Sequence, residues 1–379
     1  MIIELHMLQS FAPSNLNRDD TNNPKDCDFG GVRRARISSQ CIKRSIRQSP
    51  VFSEVTAAKT GERTRWMTRL LSEALEKAGK DPQQVKAVAT ALAQAYAGKM
   101  DKKQPERTSV LLYLSAGEID MVTRALLDNW DALVAESGKN DAKAFPLTQK
   151  VVDDLIKETK NRTSAPDIAL FGRMLADKPE LNLDAACQVA HAISTHRVTM
   201  DMDFYTAVDD LSREDEAGAG MMGFTSFNSA CFYRFSLIHW DLLVRNLDGD
   251  TDLARRTVEG YLRAAVQAVP TGKQNTFAAH NPPSFLLVVV RKNGSSWSLA
   301  NAFEKPVQPS REGGLVAPSA SALDGYWGRL VDMFGDRDLV YVGALPLEPG
   351  LSLANLKDRV CPNLDAWVTA AMQALPGEA

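Results

Sequence analysis

The sequence has only five cysteines, Cys27, Cys41, Cys187, Cys231 and Cys361. They are scattered, odd in number and form no Cys-x-x-Cys pair, which argues against a zinc ribbon or a disulfide framework. Reduced thiols in a cytosol fit best. Long apolar runs are missing too: the longest clean one, Phe285 to Val290, is far too short to span a bilayer. The opening residues, MIIELHMLQSF, lack a positive start and a cleavage pattern, and read as a strand rather than a signal peptide. A cytoplasmic protein with no membrane contact is expected. The net charge is only −3, so any nucleic-acid site has to be a local patch on an acidic body. Internal repeats and low-complexity tails are absent as well.

What is present is ordinary for a soluble globular chain: 379 residues, 44% hydrophobic and 24% charged. Such a chain can bury a substantial core, and its length suggests two or three domains. Residues 2 to 10 alternate Ile3, Leu5 and Met7 against Glu4 and His6, the period of a strand. From about 62 to 195 helical spacing dominates. Arg65–Ala78 carries Trp66, Leu70, Leu71 and Leu75 on one side and stops at Gly79. Pro82–Ala97, Glu118–Ser137, Pro146–Thr159 and Leu183–Thr195 read as further helices. Strand signals return after Phe224. Ser229–Trp240 alternates, and Ser284–Lys292 and Ser295–Ala302 flank Asn293-Gly294, a hairpin turn signal. Asp252–Val269 and 363–374 read as helices, and Asp338–Leu345 as a last strand. The pattern is a split α+β sheet domain carrying an inserted helical domain.

Residues 197 to 223 stand apart. Seven acids, Asp201, Asp203, Asp209, Asp210, Glu214, Asp215 and Glu216, face two arginines, and the segment ends in Gly218, Gly220 and Gly223. That composition suggests a projecting hairpin. Gly218–Gly223 matches Gly-x-Gly-x-x-Gly literally. An acidic loop precedes it and an extended segment follows, so it lacks the strand-to-helix context of a dinucleotide site.

The stretch from 14 to 48 is the most informative. It opens turn-rich, with Asn15, Asn17, Asp19, Asp20, Asn22, Asn23 and Pro24. Gly30 and Gly31 allow a sharp bend or a close approach to a ligand. Arg33, Arg34, Arg36, Lys43, Arg44 and Arg47 follow, with no acid between Phe29 and Ser53. Ser38 and Ser39 are helix N-cap candidates. Ile42 and Ile46 share one face, and Lys43 and Arg47 share the next. A glycine loop, a helix start and a row of cations suit a repeated anion such as a nucleic-acid backbone. A solvated basic helix is the plainer alternative.

Other motifs carry less. His191 and His196 are five apart on an expected helix and point apart, so they make a poor metal pair, and core or capping roles fit them better. Asp19-Asp20 and Asp26/Asp28 could hold a catalytic divalent metal. Turn formation and pairing with Arg18 or Arg33 already explain them and are the favoured reading. No cofactor and no metal are expected. Gly272-Lys273 is not a phosphate-binding Walker loop, because no glycine sits at position 267.

The segments PSNLNRDD up to Asp20, Lys25–Arg36 with its KD…FGG loop, and ISSQ followed by the KR helix closely resemble the type I-E CRISPR Cascade backbone subunit, the CasC family. The resemblance extends through Ala169–Met174 (ALFGRM), Phe204–Asp210 (FYTAVDD) and Pro270–Asn275 (PTGKQN), so it covers nearly the whole chain. It implies an RRM/ferredoxin-like palm with an inserted helical fingers domain and a thumb hairpin. The implied divisions are 1–60 palm, 61–180 fingers, 181–196 a palm helix, 197–223 thumb and 224–379 palm. It further implies a non-catalytic, RNA-binding scaffold for antiviral defence. Copies would polymerise head-to-tail along a CRISPR RNA and present its spacer to a target DNA strand. Other Cascade subunits and a recruited nuclease-helicase would be the remaining partners.

On this reading Arg34, Arg36, Lys43, Arg44 and Arg47 engage phosphates, helped by Arg18, Lys25 and Ser38, Ser39 and Gln40. Lys273 and Gln274 touch RNA. Arg173 and Met174, with Tyr205 and Thr206, lie in the motifs that flank a displaced base, and Asp209 and Asp210 face basic groups of the next copy. Lys99, Lys102, Lys103 and Arg107 are a candidate DNA contact. The alternatives are a metal-dependent endoribonuclease using Asp19, Asp20 or Asp28, and a single-copy RNA-binding module.

Overall fold

The first strand, β1 (Ile2–Ser14), is buried along almost its whole length, on both faces. In this computed structural model the described residues are 1–137, 145–175, 178–207, 221–348 and 350–377. Ten further strands follow among them: β2 (Asp26–Phe29), β3 (Val32–Ile37), β4 (Glu62–Thr64), β5 (Leu112–Leu114), β6 (Cys187–Val189), β7 (Ala192–Ser194), β8 (Asp201–Ala207), β9 (Met221–His239), β10 (Phe285–Arg291) and β11 (Leu339–Pro346). The chain divides into two compact units. The first holds Met1–Phe52, Gln188–Ile238 and Val258–Ala379; the second holds Ser53–Cys187 and His239–Thr257.

The first unit is built on a sheet of order β11-β10-β1-β9-β7-β3-β2, with β6 and β8 also pairing to β9. Its neighbours run antiparallel, with Leu5 opposite Val288 and Val288 opposite Gly343. One sheet face packs Leu8, Tyr233, Leu287 and Val289 against Phe303, Leu323 and Trp327. The helix Val316–Phe334 supplies Leu323 and Trp327.

On the other face lies helix α1 (Ser39–Arg47). Ser38 caps it in extended conformation, its hydroxyl accepting from the Cys41 N–H at 3.3 Å. Arg44 and Arg47 fall in its last turn, where the helix dipole favours cations. Ile42 and Ile46 are buried. Each contributes about 1.5–3 kcal/mol of burial energy.

In the second unit the helices Met67–Lys77, Pro82–Ala97, Ala116–Asp128 and Pro146–Thr159 bury Leu71, Leu75, Leu92, Leu126 and Val152 in a common core. The expected helix 118–137 is broken in two at Asn129, the C-cap of Ala116–Asp128. This unit starts at 53 rather than 61, runs to 187, and adds residues 239–257.

Two sequence expectations are corrected. Leu183–Thr195, and with it the palm helix 181–196, is not helical: it forms β6 and β7. Its Ala-rich spacing suits a helix, but Ile193 sits between Arg36 and Tyr233 in the sheet, and that pairing overrides propensity. Ser295–Ala302 is not a hairpin partner. Gly294 does turn, with φ of 87°, but both edges of β10 are already taken by β1 and β11. Glu4 and His6, the polar residues of the β1 alternation, are both fully buried. Glu4 Oε1 accepts from Arg291 Nε at 3.1 Å and from the Trp297 N–H at 2.8 Å, and His6 Nδ1 lies 2.8 Å from the Tyr233 hydroxyl. The Tyr233 oxygen also accepts from the Leu299 N–H at 2.8 Å.

The expected hairpin 197–223 is present at its base as the β8–β9 ribbon, Asp201 opposite Phe227 through Ala207 opposite Met221. Asp209, Asp210, Glu214, Asp215, Glu216, Gly218 and Gly220 lie outside the described residues.

Candidate nucleic-acid interface

Three segments far apart in sequence meet at one cleft of about 330 Å³ in the first unit. The loop after β1 gives Leu16, Asn17, Arg18, Asp19 and Asn22; α1 gives Cys41, Arg44 and Ser45; a distant loop gives Thr271 and Gly272. Arg18 and Arg44 are exposed. With Asn17, Asn22, Ser45 and Thr271 they give the cleft cations and neutral hydrogen-bonding groups suited to phosphate and sugar oxygens, beside a single carboxylate, Asp19.

Side-chain hydrogen bonds tie down the loop after β1. Asn17 Oδ1 accepts the Ser38 N–H at 2.8 Å, which ties it to the start of α1. Asp19 Oδ1 accepts from the N–H groups of Thr21 and Asn23, both at 2.9 Å, and from the Thr21 hydroxyl at 2.8 Å. These bonds, the Thr21 hydroxyl first, hold the Asp19 carboxyl below its ordinary value of 3.8. Asn15 Nδ2 donates to Asn22 O and Ser226 O at 3.0 and 2.9 Å. Asp19 thus serves the turn reading. Arg33 pairs with Asp26, as the turn alternative foresaw.

A second basic group lies on β3. Arg36 Nε donates to Asp26 O at 3.0 Å, and its Nη1 lies 3.2 Å from His191 Nδ1. His191 is exposed, so neither the core nor the capping role fits it. Burial first, then Arg36 and Lys25, hold its imidazole below the ordinary 6.5. His196 does have the structural role: its Nε2 accepts the Cys231 N–H at 3.2 Å.

Two expected RNA contacts are interior residues. Arg34 is 0% exposed. Its guanidinium donates to the carbonyls of Phe29 (3.1 Å), Ser194 (3.2 Å), Phe303 (2.7 Å) and Glu304 (3.2 Å). Arg173, in the second unit, is 5% exposed; it pairs with Glu118 at 2.5 Å and donates to Leu181 O and Tyr113 O. Both cations hold loops together and present nothing to a ligand. Gly30 has a similar role. Its φ is +61°, and a Cβ there would overlap the Glu304 carbonyl, so its close approach is to backbone rather than to a ligand.

The remaining candidates divide by exposure. Gln40 is exposed on α1, Lys43 and Arg47 are half-buried, and Ser38 and Ser39 are buried at its start. Lys273 is half-buried with φ of +51°, beside the cleft-lining Thr271–Gly272. Gln274 spends its amide on Pro270 O and Ala279 O, at 2.9 and 3.2 Å, so its role is in shaping that loop. Tyr205 is 42% exposed on the β8–β9 ribbon, with Thr206 also exposed. Met174, in the second unit, is 84% exposed, which is incompatible with helix-core packing. Lys99, Lys102 and Lys103 are exposed there too. Sequence reasoning missed Ser45 and Thr271 as lining groups and His191 as a partner of Arg36. Only the ISSQ–helix and PTGKQN motifs flanking Ser45 and Thr271 hinted at them.

Comparison with known proteins agrees over the full length. The family described as CT1975-like protein matches residues 3–369. A chain of a solved "CRISPR RNA-guided surveillance complex, pre-nicking" superimposes with a TM-score of 0.87 at 30% identity, covering 99% of this chain and 100% of that one. A chain of another "CRISPR RNA-guided surveillance complex" gives 0.77 at 26% identity, with coverage of 99% and 100%. No curated protein matches.

Proposed function

The chain belongs to the CT1975-like protein family, and on that premise we propose that it is the guide-RNA-binding backbone subunit of a type I-E CRISPR Cascade complex. Copies assemble head-to-tail along the CRISPR RNA, an arrangement that yields an open filament when the rotation does not close. The protein holds the RNA backbone, and sequence is read by pairing between guide and target DNA. The first unit serves as an RRM-like palm, the helical unit as fingers and the β8–β9 ribbon as a thumb. Other subunits cap the filament, and a recruited nuclease-helicase cuts the DNA. The chain itself is assigned no catalysis and works in the cytoplasm.

The observation that carries this reading is the cleft. It joins Arg18 and Arg44 with Thr271–Gly272 from three separated motifs, on a fold shared end to end with guided surveillance complexes. Arg36 and Lys25 extend the basic surface, with the neutral His191 beside Arg36. Met174 on one copy, and Tyr205 and Thr206 on the ribbon, flank a displaced nucleotide that recurs once per subunit. Interrupting the guide stack in this way lets it pair with DNA while clamped along its length.

The test is co-purification with RNA, then native mass measurement and sequencing of that RNA. The expected result is several copies of the chain per RNA of CRISPR repeat–spacer sequence. One copy per RNA would leave a single-copy binding module. Mg²⁺-dependent cleavage of bound RNA, lost in Asp19→Asn or Asp28→Asn, would make it an endoribonuclease.

A further inference from the structure

Trp66, in the second unit, is 40% exposed although it opens the helix Met67–Lys77. Its backbone is fixed. The Trp66 N–H donates to Thr64 Oγ1 at 2.8 Å, and its carbonyl accepts from Arg69 and Leu70. The Arg107 guanidinium lies 5.3 Å from the centre of the indole ring, steadied by Gln104 Oε1 at 2.6 Å from Nη1. A partly exposed indole with an arginine against it brings together two group types that interact with nucleic-acid bases.

The loop that delivers Arg107 is internally bonded. Asp101 Oδ1 accepts from the N–H groups of Lys103 and Gln104 at 2.8 and 3.2 Å, and the Asp101 N–H donates to Arg107 O at 2.7 Å. The Thr108 N–H donates to Arg65 O at 2.9 Å, closing the loop onto the residue before Trp66. The nearby acids have partners. Glu106 pairs with Lys86 at 2.5 Å, and Asp101 lies 3.9 Å from Arg65. Lys99, Lys102 and Lys103 are exposed, and none has an ion pair among the described residues.

We propose that Trp66 and Arg107, rimmed by Lys99, Lys102 and Lys103, form a contact for an unpaired DNA strand. This rests on the guide-directed function above. A ring face can stack only on a base that is out of its duplex, and lysines beside it neutralise the adjoining phosphates. Pairing of a guide with one target strand frees the other, which exposes both bases and backbone. The guide already has its own site at the Arg18–Arg44 cleft, so the strand left over is DNA. Contact here is independent of sequence, since every base has a face to stack.

The test uses the assembled complex and a fluorescent single-stranded DNA with no complementarity to the bound guide. A duplex and an RNA of the same sequence run alongside, and guide content is measured by extraction. Trp66→Ala should weaken single-stranded DNA binding about tenfold and Trp66→Phe less, as expected for lost base stacking. Lys102→Glu with Lys103→Glu should flatten its salt dependence. Duplex affinity should stay at the wild-type value in the two Trp66 variants, and guide content in all three. Unchanged single-strand affinity in these variants overturns the proposal. So does an equal loss on the duplex in the Trp66 variants, or a wild-type preference for RNA. If Trp66→Ala fails to assemble, Trp66→Phe and the lysine variant decide by the same criteria. A preparation without guide would sink the backbone reading alone, because this readout needs no pairing.

Discussion

Arg36 Nη1, on β3, lies 3.2 Å from His191 Nδ1 in the short connection between β6 and β7, with Lys25 close enough to repel a proton from the imidazole. Arginine has only donors, so His191 Nδ1 accepts and Nε2 carries the hydrogen. The pair is a neutral histidine held beside a permanent cation.

A pH dependence follows. Burial, Arg36 and Lys25 lower the His191 value from 6.5, so the folded protein binds this proton less well than the unfolded chain. The stability it contributes is present above 6.5 and is lost as pH falls through the folded value. RNA phosphate beside Arg36 would reverse the sign, because a nearby anion favours the charged imidazole. Guide affinity should therefore rise on acidification below 6.5, by at most about tenfold per pH unit for one proton. RNA titrations and thermal melts of wild type and His191→Gln check both slopes. Equal RNA slopes in the two proteins would remove His191 from the site.

Arg34 and Arg44 should fail in different ways. Arg34→Ala strips donors from buried carbonyls and should cost about 3 kcal/mol or more of stability. Gly30→Ala, at φ of +61° and against Glu304, should cost about 2 kcal/mol or more. Neither residue faces the cleft, so whatever protein remains folded should bind RNA normally. Denaturant midpoints beside RNA titrations make the comparison.

Arg18→Ala with Arg44→Ala should do the reverse. Folding should be unaffected, since both side chains are exposed. Each lost phosphate contact removes about 0.7 from the salt slope on a single strand. RNAs of unrelated sequence should lose affinity equally. A loss that tracked base identity would mean these arginines read bases.

Much of this was legible in the sequence, and the exceptions share a cause. Helix α1 was legible because Ser38, Ile42 and Ile46 signal it locally. The turn at Asp19 was legible because an aspartate can bond its own backbone. Arg34 and Arg36 look alike in sequence, yet one is interior and the other is not. The difference is set by the carbonyls of Phe303 and Glu304, about 270 residues away. Residues 187–194 form strands for the same kind of reason, because β9 and β3 supply ladders that no local pattern announces. His191 joined the candidate site only when that helix became a strand beside Arg36. Unlike these, the Ser38 cap and the Asp19 turn were decided within a few residues and needed no partner from elsewhere.

The β8–β9 ribbon allows the displaced-nucleotide role to be tested through a residue that would never touch RNA. Tyr205 stands opposite Gly223, and a Cβ at Gly223 would overlap the Tyr205 ring. The tyrosine therefore lies flat over the glycine with its outer side open. Phe204 and Phe224 occupy the opposite face, with ring centroids 5.2 Å apart. Gly223→Ala should push Tyr205 out of place while leaving that pair and the ladder intact. If Tyr205 flanks a displaced base, chemical probing of the assembled guide should show regularly spaced reactive positions in wild type, blurred in Gly223→Ala. Adding Gly223→Ala to Tyr205→Ala should change nothing further, because the methyl then has no ring to strike. That non-additivity is the signature of a single shared contact. An unaltered pattern in Gly223→Ala, with Tyr205→Ala blurred, would show that the resting position of the ring has no bearing on the guide. Fully additive effects would place the two residues in separate roles.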